Sequence, residues 1–386
     1  MKAEKNDFKE FERCAKCGMC LAQCPVYQEM LLEKASPRGK IQLAKFYKEG
    51  LIDLSERCRD IFGQCLLCGA CATVCPSGMK AHEIVIKMRE EIAKERGLDE
   101  RASQLVSSIM ESHNISEEDN VERGDWREDL KDLPGHRYEK ERAEVVYFVG
   151  CVASFFPMVQ RIPQNTTRIL DQAGVDFTLL SGEEWCCGFP LLAAGAPEKI
   201  RDLSRHNVEA VRRLGAETVV FSCPSCYRTW KEHYDAQMEL RHTTEYIHEL
   251  IQSERLRLKP LDPVRVAYHD SCDLGRHGGI YDAPRKILQS IPGVTLVELE
   301  HNRAGSLCCG GGGNLEMAAP ELAGRLAKAK IEEIQQSGAD VVVTACQQCV
   351  RTMATSARRQ KLDLKVMDIT ELVVKALADQ SAVPVS

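Results

Sequence analysis

The spacing of apolar residues divides the chain into two parts with different predicted secondary structure. Helix formers run from Gly39 to Tyr47, and farther along Ile84, Met88 and Ile92 lie at positions i, i+4 and i+8. This spacing is the apolar stripe of an amphipathic helix. Since strand signals are nearly absent from residues 1–100, we predict that this part is mostly helical.

From residue 143 onward, short β-branched runs alternate with helical stretches. Four of the runs end in cysteine, at 144–151, 218–226, 264–272 and 340–349. Helical stretches separate them, near 160–173, 197–214, 283–291 and 320–337. Gly174, Gly215 and Gly338 follow three of these stretches, in the position of a glycine C-cap. Strands that alternate with helices predict small parallel α/β units.

The second part of the chain is an internal repeat. Its cysteines correspond at offsets of 121, 122 and 123 residues: Cys151 with Cys272, Cys187 with Cys309, and Cys223 with Cys346. So small a drift indicates a duplication. We therefore expect a pseudo-symmetric pair of units, with the cysteines at the carboxyl ends of parallel strands, where ligands collect in such folds.

The segment between the two parts, residues 101–142, is polar and charged. It is interpreted as a linker or a docking segment with short helices. One alternative is a solvated connector. The other is that Trp126 and Tyr138 fix the segment to a neighbouring surface.

Composition narrows the class of protein. The chain of 386 residues is 44% hydrophobic and 28% charged, as is ordinary for a globular protein. Its formal net charge of −6 gives no support to nucleic-acid binding. The N-terminus lacks the apolar core of a secretory signal, and no run of 18 apolar residues predicts a transmembrane helix. We expect a cytoplasmic protein whose link to a membrane, where it has one, goes through a partner.

Cysteine usage points to the chemistry. Of the nineteen cysteines, eight form two C-x2-C-x2-C-x3-C-P runs: Cys14, Cys17, Cys20 and Cys24, then Cys65, Cys68, Cys71 and Cys75. In such runs three thiolates hold one [4Fe–4S] cube and the fourth ligates the other cube. One cube would therefore take Cys14, Cys17, Cys20 and Cys75, and the other Cys65, Cys68, Cys71 and Cys24. Zinc is disfavoured, because its sites show isolated C-x2-C pairs. A disulfide scaffold suits short secreted chains instead.

The forty residues between Cys24 and Cys65 carry a helical pattern. This favours an α-helical ferredoxin domain over the compact, strand-rich kind. The predicted fold class is α+β multidomain: a ferredoxin domain at 1–100, the linker or docking segment at 101–142, and a duplicated α/β cysteine-rich domain. The two cysteine-rich repeats are placed at 143–262 and 263–386.

Each repeat offers five sulfurs: a lone cysteine, an adjacent pair and a C-x2-C pair. The first set is Cys151, Cys186, Cys187, Cys223 and Cys226, and the second is Cys272, Cys308, Cys309, Cys346 and Cys349. This spacing fits neither a regular cube nor structural zinc, but it can bracket a larger, irregular cluster. Gly188 and the run 310–313 would let backbone N–H groups approach cluster sulfur. Cys58 is left over and is interpreted as a plain thiol.

The repeated C…CCG…CxxC pattern resembles the cysteine-rich domains in the B subunit of heterodisulfide reductase. With a two-cluster ferredoxin domain fused ahead of it, the chain resembles the D subunit of that enzyme, over residues 10–95 and 143–375. It is also similar to the iron–sulfur subunits of glycolate oxidase, D-lactate dehydrogenases and anaerobic glycerol-3-phosphate dehydrogenase. The motif CGMCLAQCPVY…SPRGKI is nearest to the glycolate and lactate group, whose subunits often have an incomplete repeat. The two full five-cysteine sets favour the reductase.

The resemblance implies up to two noncubane [4Fe–4S] clusters, one on each five-cysteine set, in addition to the two cubanes. It implies an iron–sulfur electron-transfer subunit of a multi-subunit anaerobic oxidoreductase. Two classes of function stay open. In one, the noncubane sites reduce a disulfide. In the other, the chain is a pure relay for a flavin-dependent 2-hydroxyacid dehydrogenase, an electron-transfer flavoprotein, or a quinone-linked or bifurcating acyl-CoA or aromatic reductase complex.

Other residues complete the expected site. His269, Asp270 and His277 flank Cys272 and are candidate catalytic proton donors, with packing around the loop as the alternative. Arg228 and Arg351 follow the C-x2-C pairs and could offset cluster charge or bind an anion. No GxGxxG fingerprint and no Walker loop is present. Flavin is therefore expected on partner subunits, beside other Fe–S subunits and a membrane quinone or cytochrome partner.

Overall fold

The structure is a computed structural model, and it describes residues 9–378. The outer ends of the first and last predicted domains, 1–8 and 379–386, lie outside the described residues. The first domain is helical: a 3-10 turn at Lys9–Arg13, α1 Met19–Ala22, α2 Pro25–Met30, a 3-10 turn at Glu33–Ala35, α3 Pro37–Lys48, α4 Glu56–Gly63, α5 Ala70–Thr73 and α6 Ala81–Arg96. The two predicted helices lie within α3 and α6, and the helical prediction is confirmed.

Local chemistry explains where α3 begins. Ser36 caps the helix, with its hydroxyl accepting the Gly39 N–H at 2.8 Å, and Pro37 occupies the first turn, where its missing N–H costs nothing. Gly39 is required because a Cβ there would lie 2.0 Å from the Glu33 carbonyl oxygen. This start brings the SPRGK segment against both C-x2-C-x2-C loops.

The segment after the first domain packs on the first repeat. It contains α7 Glu100–Glu111 and two 3-10 helices, Asn120–Asp129 and Gly135–Arg137. Trp126, Leu130 and Tyr138 are buried in the same core as the first sheet. Of the two alternatives for this segment, the structure favours docking over a solvated connector.

The first cysteine-rich repeat is a four-stranded parallel sheet of order β2-β1-β3-β4 with helices packed around it. Its elements are β1 Val145–Phe148, α8 Cys151–Phe155, α9 Arg161–Gln172, β2 Phe177–Leu179, α10 Phe189–Ala194, α11 Ile200–Arg213, β3 Thr218–Phe221, α12 Pro224–His233, β4 Glu239–His242 and α13 Thr243–Gln252, with short 3-10 turns at Pro157–Val159, Ser181–Glu183 and Pro197–Lys199. In the central strand, Val146 lies between Thr178 and Val219.

The second repeat has the same topology, in the order β6-β5-β7-β8. Its elements are β5 Val264–Tyr268, a π-helical turn at Asp273–His277, α14 Asp282–Gln289, β6 Val294–Val297, a 3-10 turn at Arg303–Gly305, α15 Leu315–Ala318, α16 Pro320–Gln336, β7 Val341–Thr344, α17 Gln347–Arg359, β8 Lys365–Asp368 and α18 Ile369–Ala376. The duplicated α/β fold is confirmed. Six of its ten cysteines come soon after β1, β3, β5 and β7, at the carboxyl ends of the central strands, and the two adjacent pairs lie in the loops after the edge strands β2 and β6.

The two repeats share helix-capping boxes as well as topology. His242 caps α13 and Asp368 caps α18, and each is completed as a capping box by a glutamate three residues on, Glu245 and Glu371. Helix α9 packs on α18, and α13 packs on α14, so the pair forms one α/β body. In the described part of the chain, every helix is too short or too polar to cross a membrane.

Arg89 of α6 joins the three domains. Its side chain is 8% exposed, and its guanidinium donates to five carbonyl oxygens at 2.7–3.0 Å: those of Phe62, Gly63 and Cys65 in the first domain, Ala193 in the first repeat and Gly313 in the second. Since buried carbonyls need donors, one side chain fixes the relative placement of all three units.

Candidate metal centres

The structure brings each predicted set of four ferredoxin-type cysteines around one cavity. Cys14, Cys17, Cys20 and Cys75 line the first, which Cys71 also borders. Cys24, Cys65, Cys68 and Cys71 line the second. Each cavity therefore gathers cysteines from both runs, as the exchange of the fourth cysteine requires.

The two cysteine loops have the same backbone conformation. Lys16 and Leu67 have positive φ angles of 57° and 53°, and the glycines that follow the second cysteine, Gly18 and Gly69, have φ of 86° and 73°. Left-handed backbone is rare for residues with a side chain. Its repetition at matching positions turns the sulfurs of each run toward one centre, which fits a cluster with three local thiolates.

Two cations of the SPRGK segment lie beside these cavities. Arg38 donates to the Lys16 carbonyl at 3.1 Å and pairs with Glu33 at 2.8 Å. Lys40 is 2% exposed and donates to the Ala35 and Gln64 carbonyls at 2.7 and 2.9 Å. Burial lowers the pKa of Lys40, and the nearby Cys65 and Cys24 thiols oppose that shift. A buried ammonium beside thiolates offsets the negative charge of a thiolate-bound cluster, so these residues fit an iron–sulfur site.

Nine of the ten cysteines of the repeats line a single cavity of about 270 Å³ between the two sheets. The tenth, Cys308, lies beside Cys272 and Cys309. Leu105 and Ile115 of the docked segment also line this cavity. The two five-cysteine sets therefore face each other across a shared space.

Within each set the thiols touch in the same order. In the first the order is Cys151, Cys186, Cys187, Cys226, Cys223. In the second it is Cys272, Cys308, Cys309, Cys349, Cys346. Both residues of each adjacent pair thus contribute sulfur to the same group, which a single small ion could not use but an irregular cluster can. Ten sulfurs in two matching series of neighbouring thiols fit two such clusters.

The second cysteine of each adjacent pair accepts hydrogen bonds from two neighbouring thiols. Hydrogen bonds from Cys186 and Cys226 lower the pKa of Cys187 to about 6. Hydrogen bonds from Cys308 and Cys349 hold the pKa of Cys309 well below its ordinary value. Because thiolates rather than thiols ligate metals, these surroundings suit Cys187 and Cys309 as cluster ligands.

A buried arginine serves the first set. Arg123 is 1% exposed; its Nη2 lies 3.3 Å from Cys151 Sγ and its Nη1 lies 2.8 Å from Glu184 Oε1. Glu184 in turn accepts the N–H groups of Val149 and Gly150 at 2.7 and 2.8 Å. Sequence reasoning missed Arg123 because the polar segment that carries it has the charge pattern of a solvated connector.

Gln347 ties the two sites together. This residue of α17 is fully buried. Its amide donates to the Val149 carbonyl at 2.6 Å and to Ser222 Oγ at 2.9 Å, and its oxygen accepts the Ala153 N–H at 3.0 Å. It lies between Cys346 and Cys349 in sequence yet satisfies the loops of the opposite repeat. Its position inside the second C-x2-C pair was the only sequence signal.

The three predicted catalytic residues have different surroundings. His269 is 1% exposed, and its ring nitrogens have no hydrogen-bond partner among the described residues. It lies beside Cys309 and Cys349, with the three ligand atoms within 4.8 Å of one another. Burial lowers the pKa of His269, so the ring is neutral and can donate one N–H toward sulfur.

The side chains of Asp270 and His277 do not face the central cavity. The Asp270 carboxylate binds the Arg285 guanidinium through two contacts of 2.7 and 2.8 Å. His277 lies at the junction with the first domain, with Nε2 3.1 Å from the Leu67 carbonyl oxygen and its ring against Gly69. Neither lines the central cavity. Their catalytic role stays a prediction, and their contacts favour the alternative of packing around the loop.

The two arginines that follow the C-x2-C pairs also differ. Arg228 is buried and pairs with Glu232 at 3.0 Å and Asp273 at 3.1 Å. Arg351 lines the central cavity, with its guanidinium 4.8 Å from the centre of the Phe156 ring and paired with Glu316. Of the two, Arg351 is placed to meet a molecule in the cavity.

Cys58 lies in the core of the first domain, 7% exposed and beside Ser55 Oγ at 3.6 Å. We expect Cys58→Ser to leave the iron content unchanged, because no other cysteine side chain of the described residues is grouped with it at a cavity. Since Ser55 can bond the new hydroxyl, the free energy of unfolding should fall by only about 1 kcal/mol. Iron analysis and thermal unfolding under argon measure both; a loss of about four irons per chain would make Cys58 a ligand.

Comparisons with known proteins agree with this arrangement. The family described as Cysteine-rich domain (CCG) matches residues 145–231 and 266–354. The 4Fe-4S dicluster domain matches residues 10–79. Both matches fall on the domains that carry the corresponding cysteine groups.

Several whole proteins are similar to the chain. The D subunit of dihydromethanophenazine:CoB–CoM heterodisulfide reductase from Methanosarcina barkeri is 32% identical, over 95% of this chain and 94% of the relative. The B subunit of fumarate reductase (CoM/CoB) from Methanothermobacter marburgensis is 30% identical, over 97% of this chain and 74% of the relative. The probable iron-sulfur-binding oxidoreductase FadF of Bacillus subtilis is 28% identical, over 81% of this chain and 46% of the relative.

Among solved structures, a hypothetical protein from Helicobacter pylori has a similar fold. The TM-score is 0.59 at 10% sequence identity, over 89% of this chain and 68% of that one. At this identity the likeness concerns the fold alone.

Proposed function

Because the chain belongs to the cysteine-rich-domain family of iron–sulfur oxidoreductase subunits that includes the heterodisulfide reductase D subunit, we propose that it reduces a disulfide in the cavity between its two repeats. The protein is an iron–sulfur electron-transfer subunit of a redox complex. Our proposal adds to that the reaction, the place where it occurs and the cluster type.

One observation carries the proposal: nine of the ten cysteines, drawn from both five-cysteine sets, line the same cavity of about 270 Å³. Cleavage of a disulfide takes two electrons and two protons and yields two thiols. Two one-electron centres on opposite sides of one S–S bond can each deliver an electron to one sulfur. A relay needs only centres within tunnelling range. The bound clusters would themselves fill part of this cavity, but its wall also carries polar and charged side chains such as Ser271 and Arg351, which suit a substrate site and which a relay would not need.

The ligand assignment follows the cavities. We assign one cube to Cys14, Cys17, Cys20 and Cys75, and the other to Cys24, Cys65, Cys68 and Cys71. We assign the noncubane clusters to Cys151, Cys186, Cys187, Cys223 and Cys226, and to Cys272, Cys308, Cys309, Cys346 and Cys349. When bound, these groups supply one-electron carriers from the first domain to the cavity.

Side chains of the cavity suit a sulfur substrate. Ser271 lines it, is 1% exposed, and its hydroxyl has no hydrogen-bond partner among the described residues. It can donate to a thiolate as the S–S bond opens. Arg351 and Glu316 stand at the same cavity, where a guanidinium can orient an anionic group of the substrate. Phe156 contributes an apolar wall.

The relatives belong to redox complexes, and this sequence carries no GxGxxG or Walker fingerprint. We therefore propose that a redox partner supplies the electrons. We propose a flavin-containing or iron–sulfur redox partner that meets the first domain. A membrane quinone or cytochrome partner would serve equally; the relative from Methanosarcina barkeri is named for dihydromethanophenazine.

The test is reoxidation of the reduced protein. Chemically reduced protein under argon is mixed with the CoM–CoB heterodisulfide, with cystine or with cystamine, and the return of visible absorbance is followed with thiol release. We expect at least one of these disulfides to reoxidise the protein and to yield two thiols for every two electrons. A relay would instead be reoxidised by an electron-transfer flavoprotein or a quinone analogue and by none of the disulfides, and that result would overturn the proposal.

A further inference from the structure

The first domain meets the second repeat at a contact between two predicted ligands. Cys68, from the second cube set, packs in the same buried cluster as Cys308, from the second five-cysteine set, and the two thiols are neighbours. Both residues are buried, at 8% and 3% exposure. The second cube and the second noncubane site therefore meet here, and the geometry of this junction controls electron passage between the domains.

Arg276 spans this junction. Its Nε donates to the Cys68 carbonyl at 2.7 Å, and its Nη1 donates to the Ser306 carbonyl at 2.5 Å. Its Nη2 is buried and has no hydrogen-bond partner among the described residues. Because Nε and Nη1 fix the orientation of the guanidinium, Nη2 is left to donate to a sulfur atom. Cys68, Cys272 and Cys308 are the neighbouring thiols.

The backbone around Arg276 is built for this placement. It lies in the π-helical turn Asp273–His277, a rare element that is frequent at functional sites. The same turn sends His277 against Leu67 and Gly69 of the first domain. It also sends Asp273 to Ser225 of the first repeat, at 2.6 Å. One turn thus contacts all three units around the junction.

The charge of Arg276 is uncompensated, in contrast to that of Arg123 at the other site. Arg123 pairs with the buried carboxylate of Glu184 at 2.8 Å. Arg276 has carbonyl partners, and in the described range 9–378 no carboxylate lies within ion-pair distance of it. Burial opposes its charge, but the thiols of Cys68, Cys272 and Cys308 outweigh burial and raise the pKa of Arg276. A fixed positive charge and N–H donors near cluster sulfur stabilise the reduced cluster.

We propose that Arg276 is a positioning residue that holds the second cube against the second noncubane site and raises the reduction potential of the clusters at that junction. This rests on the proposed ligand assignment but not on the identity of the substrate. The two noncubane sites are then unequal: the one near the cubes receives and holds an electron more readily than the one beside the neutral Arg123–Glu184 pair.

The test compares Arg276→Met, Arg276→Lys and the matched control Arg303→Met, which removes a partly exposed arginine of the same repeat that pairs with Asp282. Redox titration followed by EPR, without substrate, gives the cluster potentials. Arg276→Met is expected to lower the reduction potential of the junction clusters. The equilibrium constant for placing an electron on them should fall at least tenfold, which is 59 mV for a one-electron couple. Arg276→Lys keeps the charge and should shift it less than threefold, and Arg303→Met should not shift it.

Hydrogen exchange supplies a second readout. Both Arg276 variants lose the guanidinium that binds the Cys68 and Ser306 carbonyls. Amide exchange at residues 65–71 should therefore be faster in both, but not in Arg303→Met. Unchanged potentials and exchange in an iron-replete Arg276→Met protein would overturn the proposal. If that variant fails to load iron, Arg276→Lys decides: exchange at 65–71 equal to that of the wild type would also overturn it. Neither readout uses a disulfide, so failure here is distinct from failure of the proposed reaction.

Discussion

Replacing Arg89 by methionine is expected to destabilise the protein by about 4 kcal/mol, because buried carbonyls left without a donor cost about 1 kcal/mol or more each. Arg89 donates to five of them in three domains, and one of the five, the Gly63 carbonyl, also accepts the Cys65 N–H at 2.9 Å. The methionine keeps the packing of the side-chain stem and removes the donors. Chemical unfolding under argon measures the loss. Limited proteolysis should also cut between the first domain and the repeats.

Arg101→Met is the matched control. Arg101 also reaches across a domain boundary, but it is exposed and makes a single contact, to the Met317 carbonyl at 2.7 Å. Exposed single contacts contribute little, so this variant should lose less than about 1 kcal/mol. If Arg89→Met were as stable as Arg101→Met, Arg89 would not be the residue that fixes the placement of the three domains.

Replacing either Cys187 or Cys309 by serine is expected to remove about four of about sixteen irons per chain and to lower disulfide reduction by more than about 100-fold. Each thiol stands in the middle of its contact chain and has the lowered pKa of a ready ligand. If both clusters deliver an electron to one bond, loss of either site stops the reaction. Iron content and reoxidation by disulfide measure the two effects.

Cys58→Ser is the control for both variants, since it removes a buried thiol outside the five-cysteine sets. Equal losses in Cys187→Ser and Cys309→Ser support a shared cavity in which both sites act. Full activity in one variant, despite a lower iron content, would mean that the corresponding repeat is structural. The disulfide would then be reduced at a single site.

Cysteine spacing and apolar period were enough to predict most of the architecture. The exchanged fourth cysteines lie at the cavities where the C-x2-C-x2-C-x3-C-P pattern placed them. Strands β1, β3, β5 and β7 were predicted because they are central and apolar. Strands β2, β4, β6 and β8, which were not predicted, are the edge strands of the two sheets. Edge strands such as Glu239–His242 are partly exposed and lack a continuous apolar run.

The site residues that sequence reasoning missed depend on tertiary contacts. Arg123 reaches Cys151 only because the polar segment packs on the first repeat. The charge pattern of that segment does not distinguish a docked segment from a solvated one. Arg276 stands 208 residues from the Cys68 carbonyl that it binds. Asp270 was predicted from its place beside Cys272, yet Arg285 holds its carboxylate. Adjacency in sequence predicted the neighbourhood of the site but not the direction in which a side chain points.

The central claim is that two noncubane clusters share a cavity in which a disulfide is reduced. The most direct test is iron and sulfide analysis of anaerobically purified protein, followed by EPR of the oxidised protein with and without added thiol. We predict about sixteen irons per chain and a new signal on thiol addition that disappears in Cys187→Ser or Cys309→Ser. About eight irons after reconstitution, or sixteen with no response to thiol, would contradict the claim.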